Sequence, residues 1–82
     1  MFTIEWKEGA IRQLEKLQPL LSKRILKKVL ELKENPFSKD IKRLKGEKAF
    51  RLRVGDYRIL FDIDLNKKSI TILRMGHRKN IY

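Results

Sequence analysis

The sequence predicts a small α+β domain, a mainly antiparallel sheet with a helical hairpin packed on one face. Its order is β-α-α-β-β-β, in a single domain over residues 1–82. Three observations predict this. Residues 49–64, AFRLRVGDYRILFDID, alternate apolar and polar on both sides of Gly55-Asp56, the period of two of a half-buried hairpin. Residues 9–34 carry apolar side chains at helical spacing, interrupted at Gln18-Pro19. Short apolar-rich runs at 2–6 and 69–75 supply the remaining strands.

The first strand, Phe2 to Trp6, sets Phe2, Ile4 and Trp6 against Thr3 and Glu5. From Gly9 to Leu17, residues Ala10, Ile11, Leu14 and Leu17 follow i, i+3 and i+4 spacing and predict a first helix. Pro19 disfavours helix in Gln18 and suits the first turn of a second helix, which runs to Glu34 before Asn35-Pro36. Leu21, Ile25, Val29 and Leu32 form its stripe, widened by Leu26 and Leu30. Lys23, Arg24, Lys27 and Lys33 lie elsewhere on its circumference and are most simply a solvated face.

From Phe37 to Lys48 periodicity lapses and charge rises, which predicts a connection anchored by Ile41 and Leu44. The hairpin follows. Gly first in a two-residue Gly-Asp loop suits a type II′ turn, and counting outward pairs Val54 with Tyr57, Arg53 with Arg58, Leu52 with Ile59 and Phe50 with Phe61. In the last strand, Ser69 to Met75, Ile70 and Ile72 oppose Leu73 and Met75 in parity, the pattern of a central strand covered on both faces.

The chain carries 21 Lys+Arg against 10 Asp+Glu, a net charge of +11, and no cysteine. Such an excess of positive charge points to a polyanionic partner, nucleic acid first. Without cysteine there is neither a disulfide nor a thiolate metal site, which fits a reducing cytosol. With no secretory pattern at the start and no apolar run of membrane length, a soluble, cytoplasmic protein with no membrane partner is expected. No glycine-rich phosphate loop, HExxH motif or metal-ligand cluster is present, so no cofactor and no metal are expected. The hairpin carries the sharpest signal: Arg53 directly opposite Arg58, with Arg51 beside them. Like charges facing across a sheet are destabilising, and arginine's planar fork suits phosphate, so the arrangement invites an anion.

The run FRLRVGDYRILFDI followed by ILRMGHRKNIY resembles the RelE/ParE superfamily of toxin–antitoxin toxins, and the resemblance extends over essentially the whole chain. Two smaller features agree, the NPF after the second helix and the KRLKG before the hairpin. What the resemblance implies is a toxin of the RelE-like branch, an endoribonuclease that cleaves mRNA in the ribosomal A site. Its partners would be mRNA on the ribosome and a cognate acidic, RelB-like antitoxin. The alternatives are a ParE-like, non-enzymatic inhibitor of DNA gyrase and a plain basic RNA-binding domain. By the same resemblance Arg58 and Arg78 contact the scissile phosphate, Tyr82 is general base or stacks on a base, and His77 is a reserve proton carrier. Lys45, Lys48, Arg51, Arg53 and Lys79 bind RNA. Arginines stand where such toxins can use lysines on the first hairpin strand; since arginine stays charged, Lys45 and Lys48 remain the acid candidates.

Overall fold

The computed structural model describes residues 1–37, 41–43 and 49–81. Its elements are β1 (Thr3–Trp6), α1 (Glu8–Glu15), α2 (Pro19–Glu31), β2 (Ile41–Arg43), β3 (Phe50–Val54), β4 (Tyr57–Asp64) and β5 (Ser69–His77). The five strands form one sheet in the order β1-β5-β4-β3-β2. Only β1 with β5 is parallel; the other neighbouring pairs are antiparallel. The sheet has one strand more than the sequence predicts. Three-residue β2 sits in a charged stretch where no periodicity could reveal it, and it pairs at the edge with β3.

Both helices lie on one face of the sheet. Ala10 of α1 and Ile25 and Val29 of α2, with Leu32 just beyond, close over Leu52, Val54, Ile59, Phe61, Ile70, Ile72 and Met75. Phe50 and Phe61 stack in their cross-strand register with ring centroids 5.7 Å apart. Ile11, Leu26 and Leu30 do not join this core. All three are exposed, and Leu26 and Leu30 instead border an outward groove with Lys23, Lys27, Glu31 and Glu34. Among the described residues no helix is long and apolar enough to cross a membrane.

The last strand corrects its sequence reading. It lies inside the sheet, but it is not apolar on both sides. The β4–β5 register runs Ile59–Met75 and Leu60–Arg74, then Phe61–Ile72, so Leu73 is an extra residue in a bulge. A bulge shifts all later side chains to the opposite parity. Met75 thereby joins Ile70 and Ile72 over the helices, while Arg74 and Gly76 turn to the open face. Bulges interrupt the ladder, and here α1 compensates: the Met75 N–H donates to Gln13 Oε1 at 2.7 Å.

A cationic cleft at the hairpin tip

The open face is built by the residues that alternate with the core. In register across it lie Lys42, Arg51, Leu60 and Arg74, and one step toward the turn Arg53, Arg58 and Gly76. Leu60 is only 3% exposed although it lies on this face. Its neighbours in register are Arg51 and Arg74, side chains whose methylene stems cover apolar surface while their heads stay in water.

The turn arranges the arginines. Gly55 has φ +59°, a conformation that costs an ordinary residue about 1–2 kcal/mol. Arg53 and Arg58 face each other across the two strands, as counting from the turn predicts. The Arg58 guanidinium folds over the turn, its Nη1 donating to Gly55 O at 2.9 Å and to Tyr57 O at 3.0 Å. Arg78, just past β5, is tied to the same turn: its backbone N–H donates to Asp56 O at 2.8 Å. Its Nε lies 3.9 Å from Asp56 Oδ1, and both side chains are more than half exposed, so this ion pair is weak. The chain then turns back through Asn80 and Ile81, whose N–H groups both donate to His77 O. Ile81 Cδ1 reaches 3.4 Å from the point where a Cβ on Gly76 would lie, so Ile81 rests over the residue paired with Arg58.

Burial first, and then the charges of Arg51, Arg53 and Arg78, hold the pKa of Arg58 below its ordinary value; Asp56 opposes them weakly. The charged form of Arg58 is thus less favourable here than in water, and a bound anion would reverse that. Around the tip these residues open into a cleft of about 470 Å³, lined also by Arg24 and Lys28 of α2. The Arg24 guanidinium lies against the turn, with Nη1 3.2 Å from the position of a Cβ at Gly55. Among the described residues five cationic side chains and one carboxylate, Asp56, line this space.

The predicted site residues therefore divide. Arg53, Arg58 and Arg78 line the cleft together, and Arg51 shares the open face beside them. His77 does not enter it: its register partner is Tyr57, on the helix-covered parity, and the two rings meet edge to face at 5.7 Å. Its Nδ1 accepts the Lys79 N–H at 3.2 Å. Lys79 is exposed in the turn after β5 and is not among the cleft-lining residues. Tyr82, Lys45 and Lys48 lie outside the described residues, as does Leu44. Arg24 and Lys28 are the residues that sequence reasoning assigned no site role. Their one available signal was like charge four apart on a helix, an arrangement unfavourable unless something answers it.

Residues 4–82 match the family described as the ParE toxin of type II toxin–antitoxin system, parDE. The chain is 37% identical to Toxin RelG of Mycobacterium tuberculosis over 87 residues, covering 99% of this chain and 95% of that one. It superimposes on the toxin–antitoxin complex RelBE2 of the same organism with a TM-score of 0.84, at 31% identity, covering 94% of this chain and 98% of that chain. It superimposes likewise on the archaeal RelE–RelB complex of Pyrococcus horikoshii, with a TM-score of 0.85 at 24% identity, covering 96% and 97%. At that identity the second likeness speaks to the fold alone.

Proposed function

The chain belongs to the ParE toxin family and is a RelE/ParE-type toxin of a type II toxin–antitoxin module, and from that premise we propose that it is a ribosome-dependent mRNA endoribonuclease. The observation that carries this reading is Arg58, opposed by Arg53, flanked by Arg78 and lowered in pKa by burial and by its neighbours' charge. Such a cluster is arranged for negative charge that grows on a phosphate during reaction.

The substrate supplies its own nucleophile. The 2′-hydroxyl oxygen attacks the adjacent phosphorus and the bond from phosphorus to the 5′ oxygen breaks. The products are a 2′,3′-cyclic phosphate and a 5′-hydroxyl. Arg58 and Arg78 hold the phosphoryl oxygens as charge accumulates, and Arg51, Arg53 and Lys79 hold the flanking backbone. Tyr82 takes the 2′ proton, and Lys45 or Lys48 protonates the departing 5′ oxygen. His77, turned toward Tyr57, serves this chemistry by fixing the end of β5 that carries Arg78.

The protein acts in the cytoplasm and is silenced by an acidic antitoxin. A net charge of +11 favours fast encounter with such a partner, and the structures it resembles include toxin–antitoxin complexes.

The test is a reconstituted translation reaction in which mRNA 5′ ends are mapped by primer extension, with R58A and R78A alongside. New ends within the A-site codon, lost in both variants, are expected. Intact mRNA under translating conditions would overturn the nuclease reading, and loss of DNA supercoiling activity in a parallel gyrase assay would put the gyrase-inhibitor alternative in its place.

A further inference from the structure

Arg24 and Lys28 stand apart from the arginines of the hairpin. They come from α2, on the helix-covered side of the sheet, and meet Arg53 and Arg58 of the open face only around the turn. They sit one helical turn apart with like charge. Among the described residues Arg24 has no carboxylate partner, and Lys28 has Glu31 at 3.6 Å, both side chains being substantially exposed. Neither residue belongs to the core. Arg24 nevertheless lies at a defined place, its guanidinium against Gly55, where any side chain would crowd it.

We propose that the Arg24–Lys28 pair is a second phosphate subsite, which holds an RNA backbone phosphate on the helix side of the turn while Arg58 and Arg78 hold another on the open side. This rests on the reading of the cleft as an RNA site and adds α2 to it. The Gly55-Asp56 turn borders the cleft with both groups of cations, and the missing side chain of Gly55 is what leaves room for the Arg24 guanidinium beside it. Among the described residues Asp56 is the one carboxylate that borders the cleft, 3.9 Å from Arg78 in a weak, exposed pair, against five cations, so the space keeps an excess of positive charge.

Two sources could supply the phosphate, the bound message itself or ribosomal RNA, and one set of measurements separates them. R24Q/K28Q is compared with wild type, with R58Q, and with K23Q/K27Q, which removes two charges from the same helix at residues that line the outward groove instead. Each is titrated with a 2′-O-methyl hexanucleotide, with a 2′-O-methyl dinucleotide holding one bridging phosphate, and with vacant small ribosomal subunits. Thermal unfolding of every variant checks that the fold is kept.

For a phosphate of the same strand, R24Q/K28Q weakens hexanucleotide binding about tenfold and lowers the slope of log K on log salt by about 0.7, with dinucleotide binding unchanged. For ribosomal RNA, the loss is confined to the ribosomal subunits. If R24Q/K28Q behaves as K23Q/K27Q does on all three ligands while R58Q still weakens binding, the subsite is overturned and the cleft reading stands. If wild type binds none of the ligands, or R58Q changes nothing, the cleft reading itself falls and takes the subsite with it.

Discussion

The two faces of this sheet are made from alternate residues of the same strands, yet they obey opposite rules. On the helix-covered face Phe61, Ile59, Ile70 and Ile72 are fully buried in one hydrophobic cluster. On the open face the positions between them present Arg51, Arg53, Arg58 and Arg74, several of them repelling one another. Apolar burial is concentrated on one side and positive charge on the other. A strand's period of two lets both be built within five to nine residues, with little interference. A charged cluster that would be a liability inside a core is tolerable on a rigid platform whose opposite face supplies the folding free energy.

That division can be broken from either side. The largest effect is expected from Phe61→Ala, which removes a fully buried ring stacked on Phe50. It should cost about 3–5 kcal/mol in denaturant unfolding, a large share of what a domain this size has. Arg78→Ala comes next. Cleavage should fall by about 10²–10³, as on removing one preorganised electrostatic contact, while denaturant midpoints stay within the error of surface changes.

Gln13→Ala probes the seam between the faces. It leaves the Met75 N–H at the bulge without its acceptor and should cost about 1–3 kcal/mol. Because the bulge also sets which way Arg74 and Gly76 point, hydrogen exchange at Met75 to His77 should quicken in the variant. The smallest effect concerns salt. Raising ionic strength screens the repulsion around Arg58, so the melting temperature of wild type should rise slightly, by about 2 °C, between low and physiological salt. Arg58→Gln should flatten that rise.

Much of this division is legible in the sequence. The Gly55-Asp56 turn and strict alternation fix the β3–β4 register by counting, and all four predicted pairs occur, Arg53 with Arg58 included. The end of the sheet was not legible. In Ile70 to Met75 a single inserted residue, Leu73, makes one apolar face read as two, since a bulge is invisible to a test for period two. The same shift places His77 with Tyr57 rather than with the arginines. Arg24 and Lys28 were unreadable for a different reason. On a helical wheel Arg24 is an ordinary polar-face residue and Lys28 flanks the apolar stripe beside Leu21, and their relation to Gly55 exists only once α2 is packed on the sheet.

The most direct test of the central claim, that the open-face arginines serve RNA and not the fold, is Arg58→Gln measured twice. Single-turnover cleavage of mRNA on programmed ribosomes and thermal unfolding would be recorded on the same preparation. The expected result is a cleavage rate about 10²-fold or more below wild type, with a melting temperature within about 3 °C of it, since the two lost backbone hydrogen bonds are offset by relieved repulsion. Undiminished cleavage, or a rate that falls only as the variant unfolds, would contradict the account and return Arg58 to a structural role at the turn.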